Sequence, residues 1–157
     1  MNDENSVIFI SGSDGPIEGR YSGKGKPWAV SRRGRPLNNR QKKLLDRLLD
    51  IGSRALVRKN SVSMSDLAAL TAETKAEFAM FTCGSRRLII RGDDRCVYIE
   101  EAEVERLIAQ GYKWSGHTHP GYNMSASVAD ADFLKRFGQS RSVIYNISGE
   151  CRTFAAG

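Results

Sequence analysis

The sequence predicts a layered α+β domain, an α-β-α arrangement in which helices flank a central mixed β-sheet. Amphipathic helical segments alternate along the chain with short apolar, β-branched segments that are typical of strands. The length of 157 residues is that of one domain and permits a core without stabilising disulfides. A composition of 40% hydrophobic and 27% charged residues excludes collagen-like, mucin-like, coiled-coil and wholly disordered chains.

Residues 1–36 are predicted to form a short strand followed by a linker. Residues 6–10 (SVIFI) are an apolar run typical of a strand. The rest of this part is rich in Gly, Ser and basic side chains, which predicts a loop that Trp28 and Val30 could anchor. We therefore place the globular domain at residues 37–157.

Four helices are predicted in this domain. Apolar residues at three- and four-residue spacing predict a long amphipathic helix over residues 37–58. The other helices are expected at residues 66–71, with Ser65 as the cap, at residues 100–110, with acidic first turns and Gly111 at the end, and at residues 128–137.

Six further strands are predicted between and after these helices. Three short apolar segments separated by glycine-containing turns indicate an antiparallel meander over residues 77–82, 87–91 and 96–99. The remaining strands are expected at residues 112–119, before Pro120, and in a closing hairpin of residues 142–147 and 151–154.

The net charge of +6 is concentrated near the start of the chain. Nine Lys or Arg residues and no acidic residue lie between Arg20 and Lys43. Such a run attracts phosphate backbones or acidic partners, although a solvated, partly disordered lead-in is the more ordinary interpretation. Tyr21 and Trp28 are too few aromatics for a base-stacking platform.

The sequence also bears on cellular location. No run approaches the ~20 apolar residues of a membrane span, and no N-terminal segment has the pattern of a signal peptide. A cytoplasmic location is therefore expected. Cys83, Cys96 and Cys151 are widely spaced and are expected to be reduced there, although a pair could form in an exported protein.

Both histidines of the chain lie in one tripeptide, His117-Thr118-His119, at the end of a predicted strand. Side chains two apart on a strand point to the same face, with Cα atoms ~6.5 Å apart. Two imidazoles at that spacing could bind one metal ion. Taken alone, the pattern also fits two ordinary histidines.

The segment Ser127-Val128-Ala129-Asp130 begins a predicted helix, and Ser-x-x-Asp at such a position is a capping-box pattern. A cap would place Asp130 in the first helical turn, near the strand end that carries the histidines. Two His and one Asp leave the fourth position of a tetrahedral Zn²⁺ open, as in catalytic sites. Bound zinc lowers the pKa of water from ~15.7 towards ~7.

A hydrolytic site would also need a proton acceptor, and spacing alone does not choose one among the carboxylates. Glu77 opens an apolar strand next to Phe78, where a carboxylate is costly unless it is paired or functional. A solvated glutamate at a strand end is the alternative interpretation.

Together these residues resemble the signature of the JAMM (MPN+/JAB) metalloproteases. In that signature an upstream Glu precedes His-Ser/Thr-His, seven further residues and Ser-x-x-Asp. Glu77, His117-Thr118-His119 and Ser127-x-x-Asp130 match it, with seven residues between His119 and Ser127. One departure is Ala79, which stands where the family commonly has the first glycine of Glu-x-Gly-x-Leu-x-Gly.

The resemblance implies a role for each residue. His117, His119 and Asp130 would ligate Zn²⁺, and Glu77 would act as the general base that passes the proton of water to the leaving amine. Ser127 would donate a hydrogen bond to the oxyanion, an interaction typically worth ~3 kcal/mol. The family fold is cytidine-deaminase-like and would cover about residues 37–154.

The resemblance also implies a function, namely hydrolysis of a peptide or isopeptide bond in a protein substrate, which includes ubiquitin-like proteins in this family. The chain is similar to compact prokaryotic, phage or polymorphic-toxin JAB domains, in which residues 1–36 would link it to a larger parent polypeptide. Two alternatives are a non-catalytic JAB-fold binding module and a nucleic-acid-associated protein that acts through its basic N-terminal segment. A zinc deaminase is set aside because its signature needs a CxxC that this chain lacks.

Overall fold

A computed structural model describes residues 7–11, 21–22 and 36–156. The helices of this part are α1 (Asn39–Asp46), α2 (Met64–Thr74), α3 (Glu101–Ala109) and α4 (Val128–Arg136), with a 3-10 turn at Lys59–Ser61. The strands are β1 (Val7–Ser11), β2 (Tyr21–Ser22), β3 (Arg54–Arg58), β4 (Phe78–Cys83), β5 (Arg86–Arg91), β6 (Cys96–Glu100), β7 (Lys113–Thr118), β8 (Arg141–Tyr145) and β9 (Cys151–Ala155).

Seven strands form an open mixed sheet in the order β2-β9-β8-β7-β4-β5-β3. The pair β7–β8 is parallel and the other neighbours are antiparallel. Strands β1 and β6 pair with each other outside this sheet. The fold is thus α+β, with a mixed open sheet flanked by helices, which confirms the fold class at this level.

The sheet is buried on both faces, and alternate residues of β4 show how. Phe78 and Met80 pack into an apolar cluster with residues of α1 and α2. Ala79 and Phe81 face the opposite cluster, which includes residues of α3, α4 and β6. Because successive strand residues point to opposite faces, β4 reads as a continuous apolar run and serves both cores.

The long helix predicted over residues 37–58 is wrong beyond Asp46. The chain turns after α1, with φ +88° at Gly52, and continues as strand β3 paired with β5. Leu49 and Ile51, which the helix would have buried, are 64% and 63% exposed. In the short segment of residues 54–58 the apolar residues fit the period of a helix or that of a strand, and the pairing with β5 stabilises the strand.

Two smaller predictions also need correction. Helix α2 is capped by Ser63, not Ser65: the Ser63 hydroxyl accepts from the Asp66 amide, and the Asp66 carboxylate accepts from the Ser63 amide. The predicted meander of three strands is confirmed for β4 and β5 but is wrong for β6. Strand β6 pairs with β1, and the second neighbour of β5 is β3. Strand partners depend on long-range contacts, which a local pattern does not contain.

Helix α2 extends three residues beyond its predicted end, and the predicted loop of residues 11–36 contains β2, which pairs with β9. The other predicted elements are confirmed to within about two residues. They include β1, α3, β7, α4 and the closing hairpin of β8 and β9. Trp28 and Val30 lie outside the described residues. Cys83, Cys96 and Cys151 are free thiols, and Cys96 is buried. Of the helices in the described part of the chain, none has the length and apolar character needed to cross a membrane.

Candidate metal centre

The centre lies at the end of β7, where a bulge sets the direction of the side chains. Met80 of β4 pairs with Gly116 and Phe81 with Trp114, so Ser115 is an extra residue in β7. The extra residue brings Trp114 to the same face as His117. The Trp114 ring stacks on the His117 ring at 5.1 Å between centroids and an angle of 22°.

The three ligand candidates meet on this face in the interior of the protein. His117 Nε2 lies 3.1 Å from His119 Nε2 and 3.3 Å from Asp130 Oδ2, and His119 Nε2 lies 3.9 Å from the same oxygen. The three side chains are at most 2% exposed. This group of one Asp and two His side chains could therefore hold a metal ion.

The distances suit a small tetrahedral ion. Bonds of about 2.0–2.2 Å at tetrahedral angles separate two ligand atoms by roughly 3.3–3.5 Å. The separations of 3.1, 3.3 and 3.9 Å bracket that value. Two imidazoles and one carboxylate are also a usual donor set for zinc, so the residues fit the ion that the sequence suggests.

An outer hydrogen bond orients His119 for binding through Nε2. The Nδ1 of His119 lies 3.0 Å from the carbonyl oxygen of Asn123, which can only accept, so Nδ1 carries the proton. In the neutral ring, Nε2 then presents its lone pair to His117 and Asp130. Metal-ligating histidines are commonly fixed in this way.

His117 is positioned by packing instead. Its ring stacks on the Trp114 ring and lies perpendicular to the Phe154 ring, whose centroid is 6.0 Å away. Its Nδ1 is buried and has no hydrogen-bond partner among the residues that the structure describes. The aromatic contacts therefore hold the ring in the orientation that directs Nε2 towards Asp130.

Asp130 reaches the centre because it belongs to the first turn of α4. Ser127 is the N-cap, and its hydroxyl accepts a hydrogen bond of 3.0 Å from the Asp130 amide. Asp130 Oδ2 in turn accepts from the Ser127 amide at 3.0 Å. The cap predicted from Ser-x-x-Asp is thus present, and it fixes the carboxylate that faces the histidines.

Electrostatics favour the protonation states that a metal ion requires. Burial lowers the pKa of His117 below its usual range, which keeps the imidazole neutral. Burial alone would raise the pKa of Asp130, but the adjacent His117 and His119 outweigh it and hold that pKa well below its usual range. A neutral imidazole beside an ionised carboxylate is the ligand state that binds metal.

Glu77 lies directly before β4 and is fully buried. The pairing of β4 with β7 begins at Ala79, which is opposite His117. Glu77 precedes Ala79 by two residues, so its backbone lies within about 7 Å of the start of this pairing. The predicted general base is therefore buried near the end of β7 that carries the histidines.

The backbone of Glu77 is held by a turn that the sequence analysis treated only as a connection. The Glu77 amide donates to Asp93 O at 2.8 Å, and the Gly92 amide donates to Glu77 O at 2.7 Å. A Cβ added at Gly92 would lie 2.0 Å from the carbonyl oxygen of Cys96. In the sequence, the glycine of Gly92-Asp93-Asp94 is the feature that could have indicated this close backbone contact.

Two threonines support the centre from the other face of the sheet. Thr118, between the two histidines, accepts a hydrogen bond of 3.0 Å from the Phe78 amide through its hydroxyl. That hydroxyl also lies 2.6 Å from the Thr71 hydroxyl of α2, and both residues are fully buried. The Thr118 hydroxyl thereby ties the start of β4 to the end of β7, a contact that no local pattern in the sequence marks.

Comparisons of the chain with models of known protein families, with curated proteins and with solved structures gave no significant match.

Proposed function

We propose that the chain is a zinc-dependent hydrolase of the JAMM (MPN+/JAB) type that cleaves a peptide or isopeptide bond. The observation that carries this proposal is the convergence of His117 Nε2, His119 Nε2 and Asp130 Oδ2, separated by 3.1–3.9 Å in the protein interior. The mixed sheet, with α4 following the histidine-bearing strand, is compatible with a JAB fold. Zinc is proposed as the ion because the distances and donor set suit it.

The residues around the ion would divide the chemistry among them. When bound, Zn²⁺ supplies an acidified water molecule and polarises the substrate carbonyl. Glu77 would take the proton of the attacking water and return it to the leaving amine. The Ser127 oxygen already accepts the Asp130 amide, so its own proton would be available to donate to the developing oxyanion.

The substrate class follows from the family resemblance. We propose a protein or peptide substrate, with ubiquitin-like proteins as the first candidates, and a cytoplasmic site of action. A non-catalytic JAB-fold module is disfavoured because the complete donor set is retained.

The proposal can be tested by elemental analysis followed by a cleavage screen. We expect about one zinc per chain and hydrolysis of a ubiquitin-like fusion or of a member of a peptide and isopeptide library. Glu77→Gln should retain zinc and lose at least about 100-fold in rate, whereas His119→Ala should lose both zinc and activity. Glu73→Gln, at an exposed position of α2, is the matched control and should retain both.

Three outcomes would reject the proposal. The first is a purified chain without a stoichiometric transition metal. The second is stoichiometric iron, because two histidines and one carboxylate also suit non-haem Fe(II). The third is a zinc-loaded chain that hydrolyses nothing in the screen, which would favour the binding-module alternative.

A further inference from the structure

A basic groove of about 1330 Å³ lies between α1, the edge strand β3 and the turn that joins β4 to β5. The described residues that line it include seven Lys or Arg residues and no acidic residue. None of its residues belongs to the metal centre. Of the basic segment at residues 20–43, the described residues that line the groove are Arg40 and Lys43.

Most of these charges lack a compensating acid. Arg40 pairs with Asp66 at 2.8 Å, and this is the one ion pair of the groove among the described residues. Arg58 and Arg86 are directly opposite each other in the β3–β5 register. Like charges at opposed positions destabilise a sheet, and a bound anion would relieve that repulsion.

The free edge of β3 offers main-chain groups beside these charges. β3 is the last strand of the described sheet. Lys59 donates through its amide to Ser85 O at 2.7 Å, so the odd-numbered residues of this strand direct their main-chain groups towards β5. Leu56 and Arg58 therefore direct theirs outward, and the Leu56 carbonyl accepts from the Arg47 side chain on that side.

The groove is remote from the metal centre. β4 begins beside the centre at Phe78 and ends at Cys83, next to the turn that lines the groove. The five residue steps from Phe78 to Cys83, at ~3.3 Å each, span roughly 17 Å along the strand. Binding in the groove is therefore a separate property from the proposed hydrolase activity and does not rest on it.

We propose that this groove binds an extended acidic polypeptide segment of another protein, which adds as a strand to the edge of β3. Its carboxylates would meet the uncompensated cations, and its main chain would pair with the outward groups of Leu56 and Arg58. Leu56 is 45% exposed and offers an apolar contact between the cations. No aromatic residue is among the described residues that line the groove, so this part of the chain offers nucleobases no stacking surface there.

Fluorescence anisotropy with the full chain tests the proposal. The probe is a short labelled peptide in which Glu alternates with Val, compared with the same peptide carrying Gln for Glu, with an N-methylated version, and with a single-stranded oligonucleotide of equal charge. The variant Arg58→Glu/Lys59→Glu reverses two groove charges. Arg95→Glu/Lys135→Glu, at exposed positions outside the groove, is the matched control with the same change in net charge.

We expect the acidic peptide to bind with an affinity that falls as salt rises. The groove variant should weaken binding by about tenfold or more, while the control variant should change it little. The Gln peptide and the N-methylated peptide should both bind more weakly. Unfolding curves of both variants serve to check folding, and Arg58→Glu should be tolerated because it faces Arg86.

Other outcomes would overturn the proposal. An oligonucleotide that binds more tightly than the peptide, and is weakened by the groove variant, would make the groove a nucleic-acid surface. Equal losses of peptide affinity in the groove variant and the control variant would show that net charge, and not the groove, accounts for binding. Unchanged binding of the N-methylated peptide would reject strand addition, and absence of peptide binding would reject the proposal as a whole.

Discussion

Ser127 and Asp130 are joined by two reciprocal hydrogen bonds of 3.0 Å, and the Asp130 oxygen that takes part is the one facing the histidines. A single carboxylate thus caps α4 and forms part of the candidate metal centre. Capping and ligation meet at the same oxygen: the Ser127 amide donates to Oδ2, and the second lone pair of Oδ2 can serve a metal ion. The first turn of α4 therefore orients the Asp130 carboxylate towards the two histidines.

This arrangement predicts that a Ser127 substitution separates stability from metal binding, whereas an Asp130 substitution affects both. Ser127→Ala removes the capping hydroxyl and should cost ~1 kcal/mol of unfolding free energy. It keeps the backbone amide that orients Asp130, so metal content should be retained. Asp130→Asn keeps a capping oxygen but loses the charge, so it should lose the metal, and the apoprotein should also lose the stability that the ionised carboxylate contributes above pH ~3.9. Denaturant unfolding after chelation measures the stability of each variant, and elemental analysis measures its metal content. Loss of metal in Ser127→Ala would contradict the prediction.

The pKa shifts predict how the stability of the metal-free protein depends on pH. The pKa of His117 is lowered in the folded state, so below ~6.5 the unfolded chain binds more protons, and stability should fall as pH falls. The pKa of Asp130 is also lowered, so its contribution is present above ~3.9 and is lost at lower pH. His117→Gln should flatten the first decline. Unfolding curves of chelated protein across this range provide the measurement, and an equal slope in both proteins would refute the assignment.

The ligand candidates could be predicted from the sequence because local patterns determine where their side chains lie. The histidines share a face through the two-residue period of a strand, and Asp130 is placed by a cap that spans four residues. The position of Glu77 depends instead on the pairing of β4 with β7, two segments far apart in the chain. Its position beside Phe78 at the start of an apolar strand singled it out, spacing alone did not choose it, and the family resemblance gave it the role of general base.

Long-range strand pairing also explains why some sequence-based predictions of the fold were wrong. Residues 54–58 carry apolar side chains at spacings that fit a helix or a strand, and only their contacts with β5 settle the choice. The departure of β6 to pair with β1 has the same origin. The basic groove was equally invisible in the sequence, because Lys43, Arg58 and Arg86 come together from three separate elements.

Asp66 is predicted to be a main stabilising contact between α1 and α2. Its carboxylate accepts from Arg40, Gln41 and the Ser63 amide. Asp66→Ala should therefore cost roughly 2–3 kcal/mol, because it leaves buried donors unpaired. Arg40→Ala should cost less than ~1 kcal/mol, since the Arg40 side chain is 56% exposed. Chemical denaturation measures both, and similar losses in the two variants would contradict the ranking.

The stabilisation by Asp66 should also depend on pH. Burial alone would raise the pKa of Asp66, but its hydrogen bonds with Arg40, Ser63 and Gln41 outweigh burial and lower that pKa below its usual value. The stabilisation is therefore present above ~3.9 and lost as pH falls through the folded pKa. The stability difference between the wild type and Asp66→Ala should accordingly be constant near neutral pH and shrink in acid. A constant difference down to the acid limit would show that packing, not ionisation, carries the effect.

Gly92 offers a test of whether the main chain positions Glu77. Its amide and the carbonyl of Asp93 hold the two sides of the Glu77 backbone, and a Cβ at this position would lie 2.0 Å from the carbonyl oxygen of Cys96. Gly92→Ala must therefore displace the turn and Glu77 with it. If the chain is a hydrolase, the rate should fall by about 100-fold, the scale of a 1 Å misplacement, while the metal stays bound because its ligands lie elsewhere. Gly121→Ala, where an added Cβ meets nothing within 4 Å, is the matched control. Unchanged hydrolysis in Gly92→Ala, measured with metal content and unfolding, would show that the turn does not position the base.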